Sequence, residues 1–425
     1  MPNKILFKNA KILSMKSADI QDGDLLVVGN RIAYIGKDSK QYAPFNRIIE
    51  CDGNLLMPGF KNAHAHSAMV FLRSKADDVA LQDWLFNVVF PKEERLIIDD
   101  IVNLNKLAYL EYLSSGITAV FEHYYYPLAS AETAENFGIR IVLLGAYNAK
   151  TLAPSQLNEL YNYFNNKKDS MVSYMIGFHA EYTSNEDCFI KTKEALSLSH
   201  SPFFTHVAET EQEVNDCIKR YNMPPLKLLV TLGLYDNGGG LYHAIYLNDE
   251  EIELVKKHKL FIVSCPASNA KLASGIAPLT KYFKAGINIA LGTDGPASNN
   301  SLDMFKEMYL AAVLQKLINK DPIAIPPFEI LKMATVNGAK AMNLHEADIL
   351  AVDKLADLIM IDMHAPNMQP NHDIIANLVY AANKGNVLLT MINGNILYEN
   401  GEYFLSESKE DIVKNSYVSI KRLTE

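Results

Sequence analysis

The sequence predicts an α/β fold, a (β/α)8 barrel of the TIM type carrying a small composite β-sandwich domain built from both chain ends. Three observations predict it. Between residues 58 and 353, short apolar segments alternate with longer helical patterns, which favours a parallel sheet, and a count of eight favours its closure into a barrel. Residues able to do chemistry gather at the C-terminal ends of those segments. Both chain ends, in contrast, are rich in short strands and tight turns.

Residues 1–57 read as short strands, ILFKNAKILSM, LLVVG, RIAYIG and RIIECDG, broken at Asp22-Gly23-Asp24 and by the hairpin signal Gly29-Asn30. The candidate barrel strands follow in order: LLMPGFKNAHAH, GITAVFEHY, GIRIVLLGAY, VSYMIGFHAEY, SPFFTHVAE, GGLYHAIYL, LFIVSCPAS and INIALGTD. Near-continuous apolar runs such as IRIVLLGA agree with burial on both faces. After the helical stretch MATVNGAKAMNL, a β-rich tail turns at Asn393-Gly394 and Asn400-Gly401, like the N-terminus. The expected division is therefore a composite β domain from 1–57 and 354–425, and a barrel over 58–353.

Composition narrows the function classes. The chain of 425 residues is 49% hydrophobic and 21% charged, ordinary for a globular protein. A formal net charge of -9 argues against broad charge-driven binding to nucleic acid or anionic lipid, and a small-molecule substrate fits better. Cys51, Cys188, Cys217 and Cys265 lie far apart without a Cys-x-x-Cys pair, so reduced buried thiols are expected. The N-terminus lacks a long apolar stretch with a small-residue cleavage site, and no later run reaches bilayer-spanning length. The expectation is a cytoplasmic enzyme with neither a membrane nor a nucleic-acid partner. A homodimer or higher homo-oligomer is expected only because such assemblies are common, since the sequence marks no interface.

His64 and His66 are the most informative pair. A strand has a side-chain period of two, so both imidazoles project from one face and can close on one metal ion. A hydrolytic ion needs a few protein ligands and an open position for water, whose pKa it lowers. His206 and Asp294 complete such a set from the ends of the fifth and eighth strands. Taken singly, His206 also reads as a core histidine and Asp294 as a turn former in Gly292-Thr293-Asp294-Gly295-Pro296. Four coincidences at equivalent strand ends favour the metal. Glu209, three residues beyond His206, suits general acid and base work, but that spacing is out of phase with a strand and requires a bend after Val207. His243, at the end of the sixth strand, suits orienting or deprotonating an attacking water.

Those residues resemble the amidohydrolase superfamily, and within it the adenosine-type aminohydrolases that act on S-adenosylhomocysteine and 5'-methylthioadenosine. The likeness covers essentially the whole chain and rests on Pro58 to His66, His206 to Thr210, PASNAKLASGIAP from Pro266 and GTDGPASNNSLDMF from Gly292. The resemblance implies hydrolytic deamination of an adenine nucleoside to its inosine analogue and ammonia. It also implies a single divalent ion, zinc first with iron(II) or manganese(II) as alternatives, held by His64, His66, His206 and Asp294. Asp294 and His243 would activate the water and Glu209 would shuttle a proton to the ring nitrogen. Binuclear relatives carry a carboxylated lysine at the end of the fourth strand, where this chain has GFHAEYTS, so one ion is expected. His179 matches a histidine that contacts the purine, while Trp84 and Glu93 match a pocket tryptophan and a glutamate that binds ribose hydroxyls.

Two departures bear on the substrate. Glu181 stands where relatives usually have proline, placing a carboxylate near the ring site or just outside it, and IVLLGAYNAK lacks an arginine that some relatives use for a substrate carboxylate. 5'-Methylthioadenosine, 5'-deoxyadenosine and adenosine thus stand beside S-adenosylhomocysteine. A guanine, pterin or triazine aminohydrolase would keep the metal set without needing Glu93, and a non-catalytic assembly protein would be expected to lose ligands.

Overall fold

The computed structural model describes every residue except 1, 76, 80, 147–153 and 168–169. Two sheets organise it. The composite sheet is built from β1 (Lys4–Leu13), β2 (Ile20–Val28), β3 (Arg31–Gly36), β4 (Arg47–Glu50) and β5 (Leu55–Pro58). The C-terminal strands β14 (Leu358–Ile361), β15 (Val387–Ile392), β16 (Asn395–Glu399) and β17 (Glu402–Tyr403) complete it. The barrel sheet holds β6 (Phe60–Ala65), β7 (Ile117–Glu122), β8 (Arg140–Ala146) and β9 (Val172–Ala180), followed by β10 (Phe203–Val207), β11 (Gly239–His243), β12 (Phe261–Ser264) and β13 (Ile289–Leu291).

All barrel neighbours run parallel and follow chain order. Ala65 forms a parallel bridge with Asp294, whose backbone N–H donates to the His64 carbonyl at 2.9 Å, bringing the eighth strand back to the first. The interior is packed with side chains, Phe121, Leu144, Met175, Phe204, Tyr242 and Val263 among them, so the barrel is a filled core rather than a pore.

β5 joins the two chain ends. It runs parallel to β1 and antiparallel to β14, with Leu358 opposite Pro58. Alternate side chains of this sheet face two cores, as a pleated strand requires. Phe7, Leu25, Leu56, Leu358 and Leu389 form one of their own, while Leu55, Met57, Ile359 and Ile361 pack with the barrel. Helix Lys409–Thr424 lies along barrel helix Ile98–Ser114, where the Ser416 hydroxyl donates to the Asn103 carbonyl at 2.9 Å.

The first expected barrel strand is corrected. LLMPGFKNAHAH divides at Pro58-Gly59, with β5 in the composite sheet and β6 in the barrel. A Cβ on Gly59 would lie 2.1 Å from Thr118 Cγ2, so only glycine allows the chain to cross that closely. Each of the other seven expected segments contains one observed strand. Among the described residues no helix is long and apolar enough to cross a membrane.

Candidate active site

The barrel mouth gathers the histidines. Pairing of β6 with β7 gains one residue between Asn62 and Ala65, a local bulge that re-aims the end of the strand. His64 is fully buried and stacks on Tyr242 at 3.7 Å between ring centroids, while His66 follows the strand's last residue. Backbone curls finish other strands: Ala208, His243, Ala244 and Asp294 all have positive φ, between 48° and 69°. L-residues adopt that conformation at a cost and keep it where the surroundings demand it.

Four groups of the kind that can ligate a metal lie close together. His64 Nε2 lies 3.1 Å from His206 Nε2 and 3.5 Å from Asp294 Oδ1, and His66 Nε2 lies 3.2 Å from that oxygen. His64, His66 and His206 offer nitrogens within 4.8 Å of one another, as do the ligand atoms of His64, His243 and Asp294. The second contacts fit a metal. His66 Nδ1 sits 2.5 Å from the His123 carbonyl and His206 Nδ1 2.6 Å from that of His179, so each Nδ1–H donates and each Nε2 keeps its lone pair inward. Ser268 and Ser298 hydroxyls donate to Asp294 Oδ2 at 2.5 and 2.9 Å, leaving Oδ1 toward the histidines. Three imidazoles and a carboxylate match the donors zinc takes.

Electrostatics agree with a site for positive charge. Burial works against protonating His66, yet the Asp294 carboxylate outweighs it and raises the ring to about 9. Asp294 is held well below the usual carboxylate range although burial opposes its charge, because His66 and His64 face it. Burial pushes His64 and His206 well below the ordinary imidazole value.

Glu209 faces the same space, 3.8 Å from His243 Nε2. The bend that the sequence required comes from Glu213, whose carboxylate accepts the backbone N–H groups of Ala208 at 2.7 Å and Glu209 at 2.8 Å. Burial raises the Glu209 carboxyl, which favours its proton-carrying form. His243 Nδ1 is fixed by Asn269 Oδ1 at 2.7 Å. The sequence reading missed Glu213; the signal was Thr210-x-x-Glu213, a helix-start pattern, and Thr210 indeed caps the helix by accepting from the Glu213 N–H.

A cavity of about 740 Å³ opens above these groups, with His66, His123, His179, His206, Glu209, His243 and Asp294 in its lining. Trp84 and Glu93 are there too. A π-helical insertion, Leu85–Val89, separates them and turns both inward, as such insertions do at functional sites. Glu93 is buried despite its Lys-Glu-Glu-Arg setting and accepts the Tyr124 hydroxyl at 2.6 Å. The Trp84 indole N–H is buried without a partner, a donor waiting for an acceptor. Tyr124 and Tyr125, also in the lining, escaped the sequence reading although they directly follow His123 at the end of the second strand.

Glu181 lies just outside. Its carboxylate is bound by Arg220, at 2.6 Å from Nη2, and it does not line the cavity. Of the IVLLGAYNAK stretch, residues 147–150 fall outside the described residues. Among the described lining residues there is no lysine or arginine.

Comparison with known proteins agrees with this geometry. The amidohydrolase family model matches residues 55–397. A 5-methylthioadenosine/S-adenosylhomocysteine deaminase of Thermoanaerobacter pseudethanolicus is 37% identical over 410 residues, covering 94% of each chain. A 5'-deoxyadenosine deaminase of Methanosarcina acetivorans is 34% identical over 428 residues, covering 99% of this chain and 98% of its own. The solved structure of an adenosine deaminase from Xanthomonas campestris with bound zinc superposes with a TM-score of 0.93 at 30% identity, covering 100% of this chain and 99% of that one. Barrel, composite sheet and sequence together show that the chain belongs to the amidohydrolase family and is a hydrolase acting on carbon–nitrogen bonds.

Proposed function

We propose that this protein is a metal-dependent aminohydrolase that deaminates an adenine nucleoside to the inosine analogue and ammonia. The observation that carries the reading is the convergence of His64, His66, His206 and Asp294 beneath a cavity that Glu209 and His243 share. In this reading those four residues hold one divalent ion, zinc first. Bound there, it supplies the Lewis acidity that makes a water nucleophilic near neutral pH.

The chain's own groups do the rest. Asp294 and His243 take the proton of the water that attacks the amino-bearing purine carbon. Glu209, whose carboxyl burial raises above its ordinary value, donates to the adjacent ring nitrogen. The proton collected by Asp294 and His243 then passes to the departing amine, which leaves as ammonia, while the hydroxyl left on the carbon returns its proton to Glu209 and becomes the carbonyl of the product. Trp84 Nε1–H and His179 meet the purine, and Glu93, oriented by Tyr124, accepts the ribose hydroxyls. An aromatic lining with carboxylates accommodates neutral 5' substituents such as methylthio or hydrogen.

The same reading divides the chain into a catalytic barrel, 58–353, and a composite domain, 1–57 with 354–425. Four buried, unpaired cysteines accord with a cytoplasmic enzyme. The test is ammonia release from 5'-methylthioadenosine, 5'-deoxyadenosine, adenosine and S-adenosylhomocysteine by zinc-loaded protein. Release is expected, fastest with the first two, and no release from any of them rejects the reading.

A further inference from the structure

His123 has no role in the reaction as proposed above, yet its imidazole lines the cavity and is only 6% exposed. It differs from the other histidines at the mouth. His66, His179, His206 and His243 each have Nδ1 tied to a protein oxygen. His64 shares an unpaired Nδ1 but directs Nε2 at His206 and Asp294, whereas His123 has neither kind of engagement. His123 Nδ1 is buried with no hydrogen-bond partner, and the ring belongs to neither group of converging metal-ligand atoms. Its backbone is committed, for the carbonyl orients His66 and the N–H donates to Ala65 at 2.9 Å. The backbone is therefore held in place while Nδ1 of the ring is left unpaired, and a buried polar atom without a partner calls for an explanation, of which a bound ligand at the cavity wall is one.

Position in the barrel says which part of the ligand. The strands follow chain order around the barrel, so the second, which ends just before His123, stands opposite the sixth, which ends on His243. Glu209 ends the segment after the fifth strand, on the His243 side, 3.8 Å from that ring. In a purine the amino-bearing carbon is flanked on one side by the ring nitrogen that receives the proton and on the other by the five-membered ring. With the first edge toward Glu209, the second edge points across the mouth toward His123. We propose that His123 is a further substrate-binding residue, donating a hydrogen bond from its imidazole to N7 of the purine. The inference rests on the deaminase reading and assigns a contact which that reading does not contain.

The test compares 5'-methylthioadenosine with its 7-deaza analogue, in which a C–H replaces N7, using the full-length zinc-loaded enzyme. The wild type is expected to lose about tenfold in kcat/KM on the analogue. His123→Phe is expected to lose about as much on the parent substrate and nothing further on the analogue, with its metal content unchanged. Should the phenylalanine variant not fold, His123→Leu carries the same expectation. A wild type that does not distinguish the two substrates, a variant within twofold of wild type on the parent, or losses that multiply would each overturn the contact. These results leave deamination intact, whereas absence of ammonia from every adenosine would remove the underlying reading and the contact with it.

Discussion

The two ends of the barrel both bury charge, and they treat it in opposite ways. At the bottom, Arg140 clamps Asp357 with Nε at 2.7 Å and Nη2 at 3.1 Å, and the Asn393 N–H adds a third bond to that carboxylate. Fully buried Lys61 donates to the Gly59 carbonyl and the Thr118 hydroxyl at 2.9 and 2.8 Å, although burial lowers its ammonium to about 8. The fold supplies these partners itself, and they tie the barrel to the composite sheet. At the mouth, imidazole nitrogens crowd a carboxylate, the Trp84 N–H and His123 Nδ1 go unpaired, and four residues hold positive φ. The satisfied charges tie the two sheets together, whereas the unpaired polar groups of Trp84 and His123 belong to residues that line the cavity.

Substitutions at the two ends should separate these roles. Asp294→Asn removes one ligand and one proton acceptor, so deaminase turnover should fall on the order of 10³- to 10⁵-fold, with bound metal dropping in elemental analysis and the unfolding midpoint of metal-free protein nearly unchanged. Asp357→Ala should do the reverse: leaving Arg140 and Lys61 buried without their anion costs about 3–5 kcal/mol in denaturant unfolding, while kcat/KM of the folded fraction stays near wild type. If both substitutions damage stability alone, the contrast between the ends is wrong.

Smaller effects sharpen the picture at the mouth. Glu213→Gln can accept only one of the two N–H groups that its carboxylate now holds, so kcat should fall about tenfold with KM unchanged, read in steady-state kinetics. Glu93→Ala should raise KM about tenfold for a nucleoside but not for free adenine; unchanged kinetics on the nucleoside would favour a guanine-, pterin- or triazine-type substrate.

The smallest effect concerns pH. Burial lifts Glu307, which braces Ala267 and Asn299 behind the rim, from 4.5 to about 8. The folded state thus binds a proton that the unfolded state releases, so its contribution is full below pH 4.5 and is lost as pH rises toward 8. Glu307→Gln should flatten that decline in urea midpoints taken across the window.

Much of this was legible in the sequence because it depends on local pattern. The His64/His66 spacing, eight apolar segments and polar residues at their ends needed only strand periodicity and order. What escaped depends on partners distant in the chain. The break at Gly59 is set by Thr118, the orientation of Glu93 by Tyr124, and the placement of Glu181 by Arg220. Glu213 was closer, and its helix-start spacing from Thr210 pointed to a carboxylate reaching back along the chain, but not to its hold on Ala208 and Glu209. His123 was visible as a strand-end histidine, and only the bonds made by its neighbours show that its own ring is left over.

The central claim is that one ion at the mouth, held by His64, His66, His206 and Asp294, makes this chain a deaminase. Chelated protein titrated with zinc while ammonia release from 5'-methylthioadenosine is followed tests it most directly. Activity should be absent without metal and rise to a plateau at one equivalent per chain. Undiminished turnover in the chelated protein, or a plateau reached only at two equivalents, would contradict it.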